Sequence, residues 1–214
     1  MVLKFPSNEL QRLNALLNFK ILDTEEEEVY NIIAEMAAAI METPVALITF
    51  LDQDRTWSKA KVGTSVSERS RELTFCAHTI LSSDPMIIED ASLDERFSDN
   101  PFVVGDPKIR FYFGVPLLTN NNEAIGAICT VDSVVRQKPS QFQLDAIKSL
   151  SKLIMHQLEL RKFIVNFNDD FKKIKDFSLI GKDDENIISV YEDLNDKCDK
   201  ILKRIKARKS IQIL

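Results

Sequence analysis

Cys76 and His78 are the most compact pair of reactive side chains in the chain. A thiolate beside an imidazole is the arrangement of an activated nucleophile. Two residues apart on a helix, however, such side chains point to different faces. No third residue is placed to orient the imidazole. The expected roles are structural, with Cys76 packed in the core and His78 hydrogen-bonded to a neighbouring strand. Arg96, Arg110, Asp90 and Asp99 form a second polar set. Guanidinium–carboxylate pairs lock loops to a sheet. The functional alternative has Arg96 or Arg110 facing a pocket and holding an anion, with Phe97, Phe111 and Tyr112 as walls. Phe111 and Phe113 share one strand face, and Tyr112 lies on the other.

Composition narrows the setting. At 214 residues the chain fits one domain plus an appendage. Its 44% hydrophobic and 29% charged residues are those of a soluble globular protein. No run approaches the roughly 18 apolar residues of a membrane span, and the N-terminal residues do not read as a signal peptide. A cytoplasmic location is expected. Cys76, Cys129 and Cys198 are far apart and odd in number, and no CxxC occurs. With two histidines no metal site is expected, and the thiols read as reduced. A net charge of -5 argues against nucleic acid as a partner. Residues 183–199 are acidic and residues 200–209 basic, a dipolar tail suited to protein contacts.

The elements that must position these groups follow from pattern. Residues 8–17 read as a short amphipathic helix. A second helix is expected from Thr24, capped by its hydroxyl with Glu27 reaching back. Val29, Ile32, Ile33, Met36 and Ile40 supply its apolar stripe, and Pro44 ends it. Residues 45–51 are a continuous apolar run, as in a central strand, and residues 56–62 alternate as its hairpin partner. Residues 74–81 read as a turn or two of helix, and residues 86–89 as a short strand. Residues 109–118 and 124–131 are strands joined at Asn120-Asn-Asn122. The outcome is an antiparallel sheet with helices before and after it, an α+β fold.

From Ala146 a heptad seam runs through Leu150, Leu153, Gln157, Leu160, Ile164, Phe167, Phe171 and Ile174. A second face of Ile147, Ile154 and Leu158 exists only in its first part. That part is expected to lie on the sheet with one face and to meet a partner helix with the other. A break at residues 178–184 leads to a second seam through Ile187, Tyr191, Leu194, Cys198, Ile201 and Ile205. The pair reads as a helical hairpin or coiled coil, residues 163–214, appended to a domain of residues 1–162. Pairing of two hairpins in a homodimer is expected; folding back onto its own domain is the alternative.

The densest signal is a series of short motifs: Arg71-Glu-Leu-Thr-Phe-Cys-Ala-His-Thr-Ile-Leu81, Glu89-Asp-Ala-Ser-Leu-Asp-Glu-Arg-Phe-Ser-Asp-Asn-Pro101, Pro107-Lys-Ile-Arg-Phe-Tyr-Phe-Gly-Val-Pro-Leu117 and Ile125-Gly-Ala-Ile-Cys-Thr-Val-Asp132. With Leu10-Gln-Arg-Leu-Asn-Ala-Leu16 ahead and Gln157-Leu-Glu-Leu-Arg161 behind, the order closely resembles a GAF sensor domain. The subtype is the bacterial one found ahead of histidine kinases and diguanylate cyclases. The resemblance implies the GAF fold, with the sheet between the terminal helices and a layer of residues 75–101. It implies sensing rather than reaction, and names no cofactor.

Relatives sharpen the expectation. Free methionine-(R)-sulfoxide reductases resemble this chain in having a cysteine where Cys76 falls. Their catalytic and resolving cysteines lie in the segment that is residues 106–116 here, which has none, and Cys129 and Cys198 read as poor substitutes. The cysteine–histidine dipeptide of bilin carriers is interrupted by Ala77, and Asn100-Pro-Phe102 is not the cyclic-nucleotide signature. Trp57 follows Arg55 as in the family, but Ser58 stands where a second aromatic is expected. His156 faintly resembles a histidine-kinase phosphoacceptor, without the following Pro. The chain thus reads as a non-enzymatic signalling module. In place of an output domain it would carry a helical hairpin, and its partner would be an unidentified small molecule, a signalling protein or both. The candidate ligand residues are Phe75, Cys76, His78, Asp90, Arg96 and Phe111. A reductase-like enzyme and a structural interaction protein with an empty pocket are the alternatives.

Overall fold

Val45 to Leu51 is apolar on both sides of the pleat, so it needs cover on both faces, and the fold supplies it. The computed structural model of the chain describes residues 5–178. The order of elements is α1 (Glu9–Asn18), α2 (Glu28–Met41), β1 (Val45–Leu51), β2 (Arg55–Val62), β3 (Glu68–Ser70), a 3₁₀ turn (Arg71–Leu73), α3 (Phe75–Thr79), β4 (Met86–Ile88), α4 (Pro101–Val104), β5 (Phe111–Leu118), β6 (Ala124–Asp132) and α5 (Gln141–Ser178). The strands form one antiparallel sheet in the order β3-β2-β1-β6-β5-β4. Helices flank it, as an α+β GAF fold requires. No helix among the described residues is long and apolar enough to cross a membrane. The chain divides at Lys162, and α5 continues past that point. The expected break at residues 178–184, beyond its first residue, and the second seam lie outside the described residues.

Alternation sorts the strand side chains into two cores. On one face Ile48, Phe50, Trp57, Phe111, Phe113, Val115 and Leu117 pack against Leu16, Ile33, Ala34 and Ala37 and against Ile147, Ile154 and Leu158 of α5. On the other, Leu51, Tyr112 and Cys129 pack against Phe75, Cys76, Ile80, Phe97 and Val103. A bulge between Ile48 and Thr49 shifts the register of β1 against β2.

Three expectations are corrected. The second helix starts at Glu28, not Thr24, and has no side-chain cap. The Thr24 hydroxyl instead donates to the Ile21 carbonyl and accepts from Lys59, and Glu27 is drawn off to Lys59 and Arg161. The buried face of α2 is Tyr30, Ile33, Ala34, Ala37 and Met41, while Ile32 and Met36 are exposed. Ala34 and Ala37 let the helix lie close to the sheet and share the inward face with Tyr30, Ile33 and Met41. Helix α5 begins at Gln141, five residues before the first seam position. The short β3 and α4 were invisible as patterns.

Arg12 and Arg71 are fully buried. Arg12 Nη1 donates to the Leu51 carbonyl, and Arg71 Nη1 to the carbonyls of Asp52 (3.1 Å) and Gln53 (3.3 Å). The Glu9 carboxylate accepts from Arg12 at 2.9 Å twice and from Arg71 at 2.6 and 3.1 Å. One acid on α1 thus balances two guanidiniums that hold the β1–β2 turn. Burial raises the Glu9 carboxyl, but the Arg12 and Arg71 hydrogen bonds and charges outweigh it and hold the group at about 2.

A carboxyl held below its unfolded value of 4.5 contributes stability that is complete above that value. The contribution is lost as pH falls towards about 2. Glu9→Gln should cost on the order of 3 kcal/mol at neutral pH. Its stability should also fall less steeply than wild type between about pH 5 and pH 2. Urea unfolding across that window checks this; parallel curves would show that the carboxylate is not linked to folding.

Candidate functional site

Between the second core and the β2–β3 edge lies a cavity of about 390 Å³, within the size range of small-molecule sites. Its walls come from alternate residues of the sheet. β1 supplies Val45, Leu47 and Thr49; β2 supplies Thr56 and Ser58; β5 and β6 supply Tyr112, Cys129 and Val131. On β2, Trp57 is buried in the helix-side core, stacked at 6.4 Å on Phe50. Ser58 therefore faces the cavity, and its small side chain leaves open the room a second aromatic would fill. Phe75 of α3 forms the roof, and Cys76 of the same helix reaches the sheet beside Cys129. Exposed Gly63, Val66, Asp106 and Pro107 surround the mouth. Gly63 has φ +71, and a Cβ there would stand 1.9 Å from the Pro44 carbonyl oxygen, so the turn needs glycine.

Two polar side chains set the mouth. The Arg69 guanidinium lies over the Phe102 ring, 4.5 Å from its centroid. The Asn100 side chain accepts from Phe102 N at 2.8 Å and donates to the Leu73 carbonyl at 2.9 Å, tying α4 to the segment before α3. Asn100 is thus a structural clamp that holds Phe102 in the wall.

At the floor, Cys76 Sγ and Cys129 Sγ are 3.6 Å apart, both buried and both thiols. The Tyr112 hydroxyl donates to Cys76 Sγ at 3.5 Å and lies 2.7 Å from Thr79 Oγ1. The Cys129 thiol, with Thr49 and Tyr112, favours a Cys76 thiolate against the burial that opposes it, so Cys76 is lowered. Cys129 is correspondingly raised, by that same hydrogen bond and then by burial. The two titrate as a pair that gives up its first proton readily and its second reluctantly. Cys129, read from the sequence as a poor substitute for a reductase's thiols, thus stands beside Cys76. Strand register puts Leu47 and Gly114 opposite Cys129, so β6 carries its thiol to the roof helix.

The six candidate residues fall into three places. Phe75 and Cys76 line the cavity, and the Phe75 ring stacks between Phe97 (4.2 Å) and Tyr112 (5.1 Å). His78 and Arg96 line a separate outer concavity with Met86 and Glu95. There His78 meets Phe97 edge-on at 4.7 Å. Arg96 pairs with Asp94 at 2.6 Å and keeps that carboxyl below its ordinary range. Asp90 accepts from Ser92 N and Oγ at 2.9 and 2.6 Å in a local turn and lines neither hollow. Phe111 is in the helix-side core, because the alternation that brings Tyr112 to the cavity turns its neighbour away. Arg110 donates to the carbonyls of Val103, Lys108 and Ile109, a backbone staple rather than an anion site. Among the described residues no group of three potential ligands is placed to hold a metal.

An antiparallel sheet with helices on one face and a roofed cavity on the other is the architecture of a sensor-type domain. The chain belongs to the GAF domain family, whose profile matches residues 25–161. It is 33% identical over 154 residues to a cyclic di-GMP phosphodiesterase of Pseudomonas aeruginosa, covering 72% of this chain but 26% of that protein. The GAF domain of an Acinetobacter phosphoenolpyruvate-protein phosphotransferase superposes with a TM-score of 0.53 at 16% identity, over 76% of this chain and 99% of that one. A free methionine-R-sulfoxide reductase of Neisseria meningitidis, solved with its substrate, gives 0.53 at 11% identity, over 77% and 98%. Likeness at these identities shows the fold.

A Cβ on Gly114 would stand 2.3 Å from the Tyr112 hydroxyl and 2.7 Å from its ring. The ring is held against Phe75 and cannot swing aside. Gly114→Ala should destabilise the domain by about 1–3 kcal/mol, measured by urea unfolding. Full recovery in Gly114→Ala/Tyr112→Phe would assign the clash to the hydroxyl. An unchanged midpoint in the single variant would show that the hydroxyl has room to move.

Proposed function

We propose that this chain is a signalling module that binds a small molecule in the cavity beneath α3 and passes its state to α5. The observation that carries this reading is the cavity itself, covered by Phe75. Its walls carry apolar side chains, hydroxyls and two thiols, with the Arg69 guanidinium and the Asp106 carboxylate at the mouth. That lining suits a compact, largely apolar ligand whose polar or anionic end meets Arg69. Transmission has a physical path in β2. Ser58 faces the cavity, while Lys59 on the opposite face is buried and pairs with Glu27 at 2.9 Å. Glu27 also pairs with Arg161 of α5 at 3.0 Å, and Arg161 donates to the carbonyls of Phe19 and Lys20. A shift of β2 is felt at the point where α5 leaves the domain. The output is control of a signalling enzyme, the class to which the P. aeruginosa relative belongs. We place the module in the cytoplasm and assign it no catalysis of its own.

One observation favours a second reading. The Cys76–Cys129 pair supplies the nucleophile and resolving thiol that a sulfoxide reductase needs. Dithiothreitol-dependent loss of free methionine sulfoxide that vanishes in Cys76→Ser would establish it; absence of turnover by the wild type is the expected result.

The ligand reading is tested by native mass spectrometry of the purified protein and by thermal shift against a metabolite library. Ser58→Trp fills the cavity and should abolish any bound mass or shift while keeping the far-ultraviolet spectrum. A ligand retained by Ser58→Trp places the site elsewhere.

We also propose homodimerisation along α5. Leu153, Leu160, Ile164 and Phe167 are 45, 52, 46 and 42% exposed at seam spacing, a row of apolar side chains that favours a second copy. Ile164→Glu should give monomers, because unpaired charge in an apolar layer costs several kcal/mol. Sedimentation showing a wild-type monomer at tens of micromolar, or a dimeric Ile164→Glu, would reject this.

A further inference from the structure

We propose that Cys76 and Cys129 are a redox-modification site, a dithiol at the cavity floor that a hydroperoxide closes into an intramolecular disulfide. The pair does not depend on what the cavity binds. Its sulfurs, 53 residues apart in sequence, stand 3.6 Å apart with no bond between them. Closing the bond brings them to about 2.05 Å, a movement of roughly 1.5 Å. Only one side has to move. Cys129 sits in β6, hydrogen-bonded to β1 and β5 on both edges. Cys76 sits in α3, a five-residue helix held to the sheet by ring stacking and the Tyr112 and Thr79 hydroxyls.

The same contacts ready Cys76 for attack. Its sulfur accepts from the Tyr112 hydroxyl and lies beside the Cys129 thiol, so a thiolate there has two donors. Both residues line the cavity, which gives a small peroxide its path. The Cys76 thiolate attacks the terminal oxygen of ROOH, the O–O bond breaks, and the departing alkoxide takes a proton to leave as ROH. Cys76 is then a sulfenic acid. Cys129 attacks that sulfur, the S–O bond breaks, and the hydroxyl leaves as water with the Cys129 proton. Two thiols and one hydroperoxide give one disulfide, one ROH and one water. Two electrons pass from sulfur to oxygen. A reducing compartment resets the pair, which suits a transient switch rather than a structural bridge. Closure removes two thiols from the floor and draws the roof helix, with Phe75, towards the sheet.

The test uses the full chain. Reduced protein is treated with hydrogen peroxide, alkylated after denaturation and mapped by mass spectrometry. The expected product links the peptides of Cys76 and Cys129 with loss of two hydrogens, leaves Cys198 alkylated, and reverts with dithiothreitol. In Cys129→Ser, checked first for a native thermal transition, Cys76 should be trapped by dimedone as a sulfenic acid. Wild-type protein whose Cys76 and Cys129 both remain alkylatable overturns the proposal. So does one that over-oxidises Cys76 while Cys129 stays free, or that links either residue to Cys198.

Discussion

Glu9 lies between two guanidiniums buried from solvent, and the arrangement of the cavity side of the sheet depends on that contact. Arg12 comes from the first helix and Arg71 from the turn that follows β3. Further donors of the two reach the carbonyl of Leu51, at the end of β1, and those of Asp52 and Gln53 in the β1–β2 turn. Two positive charges in the interior are tolerable only because a carboxylate and backbone dipoles surround them. Three residues after Arg71, Thr74 begins the turn into α3, with its hydroxyl 2.8 Å from that of Thr56. The position of the cavity roof is therefore inherited from a charge cluster on its far side.

The sheet works as a partition. Its helix-facing side is mostly apolar, with Lys59 and its partners and the buried Thr130 hydroxyl as polar exceptions. Its other side carries hydroxyls, thiols and a phenol around open volume. β2 shows the division residue by residue: Thr56 and Ser58 face the cavity, while Trp57 and Lys59 face the helices. The buried ammonium of Lys59 also sits 5.5 Å from the Tyr30 ring and is shared between Glu27 and the Thr24 hydroxyl. A charge so enclosed can be displaced only together with its partners, which include the residue that Arg161 holds.

Much of this fold was legible because strands with a covered side announce themselves. Val45 to Leu51 matched β1 end to end, and β2, β5 and β6 were placed to within two residues at their ends. Helix starts were less legible. Thr24 and Glu27 form a perfect capping pattern, yet hydrogen bonds with Ile21 and Lys59 captured the Thr24 hydroxyl and ion pairs with Lys59 and Arg161 captured Glu27. Of the candidate site, Phe75 and Cys76 line the cavity, whereas Phe111 does not. Alternation alone separates Phe111 from Tyr112 but cannot say which faces the helices. Cys129 was passed over because its partner lies on another element, and only strand register brings the two together. Arg69 and Phe102 lie in the short β3 and α4, which no periodicity announced, and Asn100 stood in a motif without a structural role attached to it.

The alternation along β2 has an evolutionary consequence. Ser58, Val66 and Asp106 meet the cavity or its mouth, whereas the residues that specify the fold occupy the opposite pleat. Substitutions at the cavity alter its lining, and with it any recognition proposed above, without disturbing the helix-side core. Trp57, Lys59 and Arg71 admit few replacements. Selection can therefore retune recognition quickly on a scaffold whose stability it must leave alone. Descendants of one such domain can come to answer to chemically unrelated signals while their backbones stay superimposable.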